Sequence, residues 1–214
     1  MTKIADKISR RATLRRPQAE RSQATRHRAC EATLEGLAEV GHERISTGLI
    51  AQKADISRGA LTHQFPTRQD LFVAALKHLH EDWEKVSPVG YPPQDGVMSL
   101  AELTLPLWES MFSDKRYIAA IELMLAARQN NDLGRMLRAE MRRWLEIRDR
   151  SLLQLLGHDE NDEAAKLRLY MTLSVLRGIA VHRSFDQEDT LAPQLVSLWV
   201  KMLTQNMAEQ LVGR

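Results

Sequence analysis

Apolar residues recur at helical spacing along most of this chain, and no segment alternates apolar and polar residues as a half-buried strand would. Glycine, proline and Asn/Asp clusters separate the amphipathic segments. The pattern predicts helices at residues 18–40, 47–54, 57–64, 68–86, 98–112, 116–129, 133–156, 162–185 and 191–212. We therefore expect an all-α fold of about nine helices.

Two short helices joined by a tight turn are predicted near the start of the chain, and a third helix follows directly. Thr47 and Ser57 are the predicted N-caps of the short helices, because a hydroxyl can accept a hydrogen bond from an unpaired backbone N–H. Asp55 lies in the turn, where Asp tolerates a left-handed backbone. Thr67 with Asp70 forms a capping-box pattern for the third helix. The spacing predicts a helix-turn-helix.

The second short helix has two different faces. Leu61 and Phe65 share one face and are expected to pack on the neighbouring helices. The opposite face has no large aliphatic residue; it begins at Arg58, and Gly59 permits close approach of the backbone to a partner. A small, polar outer face on a buried spine suits the major groove of DNA. A helical hairpin inside a core is the alternative that spacing alone leaves open.

This stretch resembles the DNA-binding domain of TetR-type transcriptional regulators over about residues 22 to 80. The matching positions are Ala29, Ala32, Leu37, Gly41, Thr47, Ile50-Ala51, Ile56-Ser57, Arg58-Gly59-Ala60-Leu61, Phe65 and Arg68-x-Asp70-Leu71. Two positions depart from the pattern: Asp55 stands where the family often has Gly, and Thr62 where it often has an aromatic residue. The second departure removes one phosphate or apolar base contact, which His63 is expected to replace in part.

The resemblance implies DNA binding by the helix-turn-helix. Arg58 is expected to contact a base edge, and Thr47 and Arg68, at helix N-termini, are expected to hold phosphates. The expected DNA-binding residues are Thr47, Gly48, Ser57, Arg58, Gly59, Ala60, Thr62, His63 and Arg68.

Charge is distributed unevenly, although the net charge is only +2. Residues 1–80 carry 14 Lys and Arg against 8 Asp and Glu, whereas residues 81–214 carry 16 against 20. The basic excess therefore lies in the part with the helix-turn-helix, as expected for a surface that faces a polyanion. Much of it is in the first 28 residues, which fit either a solvated tail or an arm that follows DNA phosphates.

A proline-rich run at residues 87–93 is the best candidate for a domain boundary. We expect a basic arm at residues 1–21, a helix-turn-helix DNA-binding domain at 22–87, and a helical ligand-binding and dimerisation domain at 95–214. The last of these has no comparably specific motif, so its role is inferred from its pattern and from the family's general plan.

Aromatic residues and methionines concentrate in the middle helices and suggest a small-molecule cavity. The candidate ligand-binding residues are Trp108, Met111, Phe112, Tyr117, Met124, Arg128 and Trp144. Arg128, together with Arg138, Arg142 and Arg143, would supply charge to an anionic ligand. The alternative for each apolar residue is simple core packing, and for each arginine a solvated surface.

The last two predicted helices have apolar residues on more than one face. This breadth predicts burial both within a protomer and against a second copy, in a two-fold four-helix bundle. The expected interface residues are Leu169, Leu173, Leu176, Leu195, Leu198 and Met202. A monomer core buried on all sides is the alternative.

Several function classes find no support in the sequence. A Gly-rich phosphate loop, a nucleophile elbow and paired metal-ligand histidines are all missing, so neither an enzyme nor a bound metal or cofactor is expected. His78 and His80 are two residues apart on a helix, face different directions and are interpreted as ordinary surface or junction histidines. No apolar run of about 18 residues predicts a membrane span. The single cysteine, Cys30, fits a reducing cytoplasm.

The sequence thus favours a homodimeric, ligand-responsive regulator that binds a double-stranded DNA operator. Proteins resembling the TetR family more often repress, so we expect a repressor released from a palindromic operator by a small-molecule effector. An activator of the same fold is one alternative. A helical small-molecule-binding or interaction protein without a DNA role is the other.

Overall fold

The computed structural model describes residues 18–86, 96–129, 131–186, 188 and 190–212, and these form nine helices and no strand. The helices are α1 (Gln18–Arg44), α2 (Thr47–Lys53), α3 (Arg58–Gln64), α4 (Arg68–Glu84), α5 (Leu100–Leu107), α6 (Arg116–Ala126), α7 (Asp132–Leu155), α8 (Glu163–Arg183) and α9 (Leu191–Val212). A π-helical turn, Trp108–Phe112, continues α5. The all-α prediction is confirmed, with most helix ends within three residues of the expected positions.

Helix α1 connects the two halves of the described fold. It packs against α2 and α3 on one side and against α4 and α6 on the other, while α4 also contacts α7. Leu34 and Leu37 of α1 are fully buried, as are Ile50 of α2 and Leu123 of α6. One continuous apolar core therefore extends from beneath α3 to α8 and α9. Each of these buried side chains contributes about 1.5–3 kcal/mol through removal of apolar surface from water.

The helix-turn-helix has the predicted turn but a different first cap. Ser46, not Thr47, caps α2: its Oγ accepts a hydrogen bond from the Leu49 N–H at 3.1 Å, and Thr47 is the first helical residue. A second residue able to cap stands directly before Thr47, so the sequence alone did not separate the two. Asp55 has φ 50°, in the left-handed region as expected. Ser57 caps α3 through the Ala60 N–H at 3.1 Å.

Helix α4, which follows the two short helices, begins with the predicted capping box. Thr67 Oγ1 accepts from the Asp70 N–H at 3.0 Å, and the Asp70 carboxylate accepts from the Thr67 N–H at 3.1 Å. Ser57 therefore caps the start of α3, and Thr67 caps the start of α4, the helix that follows it. These local bonds hold α3 in a defined position between α2 and α4.

A kink at Gly41 ends the regular part of α1, as predicted. Gly41 has φ 76° and ψ 166°, and the chain beyond it bends towards α6. The His42 N–H donates to Glu122 Oε2 of α6 at 2.8 Å, and the Arg68 guanidinium of α4 donates to the His42 carbonyl oxygen. The residue after the kink is thus bonded to two other helices.

Two predicted regions fall outside the described residues. These are most of the basic arm and the proline-rich boundary at residues 87–93. The three-part domain division therefore stays a prediction.

Three of the predicted dimer residues were assigned wrongly. Leu169, Leu173 and Leu176 of α8 are between 0% and 2% exposed, because they pack in the protomer's own core and have no free surface for a partner. The apolar residues that α8 does expose lie elsewhere on the helix: Leu167, Tyr170 and Met171. On α9, Leu198 and Met202 are 54% and 45% exposed, and Leu195 packs partly against the core.

We expect Gly41→Ala to destabilise the protein by roughly 1–3 kcal/mol, because a side chain is strained in this backbone region. A Cβ at Gly41 would also lie 3.1 Å from Glu122 Oε2. The free energy of unfolding in urea measures the effect. Gly59→Ala is the matched control: a Cβ at this helical glycine would have only Ser57 Oγ nearby, at 3.9 Å. The control should keep or gain stability, and equal stability of the two variants would contradict the role of Gly41.

Candidate nucleic-acid interface and small-molecule cavity

The outer face of α3 is open to solvent, while its inner face is buried. Leu61 and Phe65 are 3% and 4% exposed and pack into the core. The predicted outer residues share one surface, on which Ala60 is half-buried and the others are exposed: Ser57, Arg58, Gly59, Thr62 and His63. The structure therefore brings this part of the predicted DNA-binding set together.

Arg58 reaches across to the first turn of α2. A Cβ at Gly48 would lie 2.9 Å from Arg58 Nη2, so the missing side chain of Gly48 makes room for the guanidinium. Thr47 is exposed in the same turn of α2. Thr62 Oγ1 donates to the Arg58 carbonyl oxygen at 2.7 Å, so this hydroxyl is already hydrogen-bonded within α3. Gly48, Thr47 and Arg58 thus form one patch at the α2–α3 junction.

The start of α1 supports both ends of α3. Gln64 Nε2 donates to Ser22 Oγ at 2.8 Å, and the guanidinium of Arg26 lies 4.6 Å from the centre of the Phe65 ring. Arg28 donates to the Asp55 carbonyl oxygen in the turn at 3.3 Å. Because Arg26 and Arg28 remain exposed, they also add positive charge beside α3.

Arg68 is placed differently from the other predicted DNA-binding residues. Its guanidinium donates to the His42 carbonyl oxygen and lies 4.8 Å from the centre of the Phe72 ring. Burial lowers its pKa, and its Nε has no hydrogen-bond partner among the described residues. The guanidinium therefore supports the end of α1, and its expected phosphate contact stays a prediction.

A cavity of about 370 Å³ lies between α4, the π-helical turn, α6, α7 and α8. Its walls are formed by Leu76, His80, Trp83, Met111, Phe112, Tyr117, Ala120, Met124, Met141, Trp144, Leu145, Arg148, Tyr170, Leu173, Ser174 and Arg177. Five of the predicted ligand-binding residues are among them: Met111, Phe112, Tyr117, Met124 and Trp144. Trp108 packs in the core beside the cavity, and Arg128 is exposed outside it.

The charged residues of the cavity are not those expected from the sequence. Arg148 and Arg177 line it, whereas Arg138 donates to the Ala127 carbonyl oxygen and Arg143 pairs with Glu84 at 2.9 Å. Helical spacing in the sequence could have indicated these two arginines. Arg148 lies one turn after Trp144, and Arg177 one turn after Leu173, so each shares a face with a wall residue.

Aromatic rings form one wall of this cavity. His80 stacks on Trp144 with ring centroids 5.0 Å apart and an interplanar angle of 13°, and Trp83 lies 5.8 Å from both Trp144 and Tyr117. His80 is only 3% exposed, and its Nδ1 lies 3.0 Å from Glu140 Oε1. His80 is therefore a buried histidine at the junction of α4 and α7 and not a surface one, and periodicity alone did not show that α7 covers this face of α4.

His27, Glu31 and His78 place their ligand atoms within 4.8 Å of one another, a grouping that the sequence did not suggest. Glu31 is already engaged, with His78 Nε2 at 2.6 Å and Arg116 Nη1 at 3.0 Å. The hydrogen bond from His78 lowers the pKa of Glu31. A guanidinium beside the carboxylate opposes a divalent cation, so we assign no metal to this cluster.

Known proteins share the helix-turn-helix and most of the helical arrangement. The family model for bacterial regulatory proteins of the tetR family matches residues 30–75. The chain is 28% identical over 180 residues to the HTH-type transcriptional regulator CymR of Pseudomonas putida. This alignment covers 82% of this chain and 86% of CymR. The chain has a TetR-family DNA-binding domain. It is accordingly a DNA-binding transcriptional regulator and not an enzyme.

Solved structures agree with this TetR-family fold. A transcriptional regulator from Rhodococcus sp. Rha1 superposes with a TM-score of 0.68 at 18% identity, covering 85% of this chain and 96% of that chain. The multidrug binding protein EbrR, complexed with imidazole, gives a TM-score of 0.53 at 24% identity over 80% of this chain and 92% of that chain. In the described ranges of this regulator, no helix has the length and apolarity needed to cross a membrane.

The buried His80 should make the stability of this TetR-family protein depend on pH. Burial lowers the pKa of His80 below its ordinary 6.5, although the hydrogen bond to Glu140 opposes the shift. The unfolded chain therefore takes up protons first as the pH falls. The contribution of neutral His80 to the free energy of unfolding is fully present above about pH 6.5, and it is lost as the pH falls below that value. Burial also lowers the pKa of His42, which adds to the loss.

Urea titrations between about pH 7.5 and 5.5 measure this decline. His80→Gln should make it shallower, because Gln can still bond to Glu140 but does not titrate. His63→Gln changes an exposed histidine and is the matched control, which should follow the wild type. A decline of the same steepness in His80→Gln would refute the assignment.

Proposed function

We propose that this TetR-family protein is a ligand-responsive repressor that binds a palindromic operator as a dimer and leaves it when a small molecule enters the cavity. The exposed outer face of α3, held over a buried spine, is the observation that carries the DNA-binding part. Such a face meets the size and polarity that the major groove requires. An activator with the same contacts is the alternative. Either regulator acts on chromosomal DNA, and we place it in the cytoplasm.

Each residue of the interface has a proposed role. Arg58 contacts a base edge, with guanine as the best partner for its two parallel N–H groups. Gly59 permits close approach of α3, and Thr62 and His63 contribute a methyl group and an imidazole to the groove. The other proposed DNA-binding residues lie at the starts of α2 and α3, where the helix dipoles favour the anionic DNA phosphates: Thr47, Gly48, Ser57 and Ala60.

Dimerisation would bring two copies of α3 to one operator. Exposed apolar residues on α8 and α9 support a four-helix bundle between protomers: Leu167, Tyr170, Met171, Leu198 and Met202. Two-fold symmetry would place the recognition helices on half-sites about one turn of DNA apart, roughly 34 Å. Affinity for the operator then depends on the distance between the two helices.

Helix α6 provides the proposed connection between cavity and DNA. Tyr117 and Met124 of α6 line the cavity, and Glu122 of the same helix bonds to the His42 N–H of α1. Arg116, at the start of α6, also bonds to Glu31 of α1 at 3.0 Å. A ligand that moves α6 would therefore move α1 and change the spacing of the DNA-binding helices. The similar protein EbrR, which binds imidazole in its solved structure, supports a cavity open to small molecules.

Arg58→Ala should relax base preference at one position, at a cost of about 1–3 kcal/mol for the preferred sequence. The preferred duplex is first selected from a randomised library with the wild type, and affinities for it and for single-base variants are measured by fluorescence anisotropy. Arg68→Ala should instead weaken all duplexes alike, because it removes the support of α1. Arg135→Ala changes an exposed arginine on α7 and should leave binding unchanged.

Two results would count against the DNA-binding roles. One is that Arg58→Ala and Arg68→Ala weaken every duplex by the same factor. The other is that the wild type selects no duplex from the library at low ionic strength, where phosphate contacts are strongest.

Leu198→Glu and Met171→Glu should each convert the dimer to a monomer, because each places a charge in an apolar interface. Sedimentation equilibrium at micromolar concentration measures the mass. Leu125→Glu is the matched control: Leu125 is 52% exposed on α6 and lies beside the end of α1. A monomeric wild type would exclude the proposed interface, and so would dimeric forms of both variants.

A further inference from the structure

We infer that the cavity takes a planar aromatic molecule with a single carboxylate, whose rings lie against the Trp83–Trp144 wall and whose charge meets Arg177. This inference rests on the proposed ligand-responsive function and specifies the chemical class of its effector. It follows from three properties of the cavity: its aromatic wall, its size and the balance of its charges.

The wall favours rings over flexible chains. Trp83, Trp144, Tyr117 and Phe112 meet one another at ring distances of 4.7–5.8 Å, and the stacked His80 extends the same surface. Aromatic rings gain about 0.5–1.5 kcal/mol per pair beyond the burial of their area. A ligand with its own ring would share this gain, whereas an aliphatic chain would gain only the burial.

The size of the cavity limits the ligand to a few rings. A cavity of about 150 Å³ is enough to hold benzene. The cavity here has about 370 Å³, which leaves space for one or two rings with a small substituent. Leu145 and Ser174 at its rim are exposed, so the cavity is open to solvent on the side of α7 and α8.

The charges of the cavity favour an anion. Of the residues that the structure describes, no carboxylate lines it, while two guanidinium groups do. Arg148 is already neutralised, since its Nη2 lies 2.6 Å from Asp149 Oδ1. The half-buried Arg177 has no carboxylate within ion-pair distance among the described residues, and its Nε donates to the Tyr117 hydroxyl at 3.1 Å. One positive charge is therefore left for a ligand to neutralise.

Arg177 and Tyr117 together form a carboxylate site. The Tyr117 hydroxyl accepts from Arg177, so its own proton remains to donate, and it has no acceptor among the residues described. The two Nη groups of Arg177 supply further donors in a planar arrangement suited to a carboxylate. Two donors on neighbouring helices, α6 and α8, thus converge at one end of the aromatic wall.

The test uses the full chain without DNA and six probes. Benzoate and 2-naphthoate are aromatic anions; benzamide and 2-naphthamide are their neutral counterparts; cyclohexanecarboxylate and octanoate are anions without an aromatic ring. Isothermal titration calorimetry gives the affinities, and quenching of tryptophan fluorescence reports contact with the wall. We expect one of the aromatic carboxylates to bind at least about tenfold more tightly than its amide and than both other acids.

Arg177→Gln should remove that tenfold preference for the carboxylate over its amide, because the affinity for the carboxylate falls towards that for the amide. Tyr117→Phe should reduce the preference by a smaller factor. Arg168→Gln changes an exposed arginine of the same helix, outside the cavity, and should bind the probes as the wild type does. Thermal unfolding of the ligand-free variants shows whether each one has folded.

Three outcomes would overturn the inference: amides that bind as tightly as carboxylates, octanoate or cyclohexanecarboxylate as the tightest probe, or no binding by either aromatic acid at millimolar concentration. Failure of the proposed function is a separate result. An aromatic carboxylate that binds as expected but does not release the selected duplex would reject ligand-controlled DNA binding and leave the assigned ligand class intact.

Discussion

The contact between α6 and α1 is the constraint on which the rest of this structure depends. α1 carries α2 and α3 on one side, so the orientation of the DNA-binding face follows the orientation of α1. α6 fixes that orientation at two places, through Arg116 to Glu31 and through Glu122 to the His42 N–H. The kink at Gly41 exposes this N–H, because a regular helix would have used it for a bond to its own carbonyl groups.

The two candidate sites follow opposite physical rules. At α3 the polar groups face solvent, where a phosphate or a base edge can replace water without loss of internal contacts. In the cavity the two guanidinium groups are buried or half-buried beside aromatic rings, so each charge needs a counterion or a ligand. Asp149 supplies one for Arg148, whereas the partner of Arg177 within the described part of the chain is the Tyr117 hydroxyl. This difference explains why one site is found by its exposure and the other by its balance of charges.

The helices and the outer face of α3 were predictable from the sequence because both depend on local patterns. Capping residues, helical periodicity and the turn at Asp55 lie within a few residues of one another in the chain. Long-range pairing was not predictable in the same way. That Arg177 would face Tyr117, or that His80 would be covered by Trp144, depends on how distant helices cross, and each helix taken alone presents several candidate faces.

The outward side chains of Arg58 and His63 take little part in holding the protein together. Arg58 and His63 bury little of their area, and the helix is fixed from behind by Leu61 and Phe65 and at its ends by Ser57 and Gln64. Natural variation can therefore exchange these outward side chains with little thermodynamic penalty. One scaffold could acquire new operators over evolutionary time while its core, its cavity and its response to an effector were inherited unchanged.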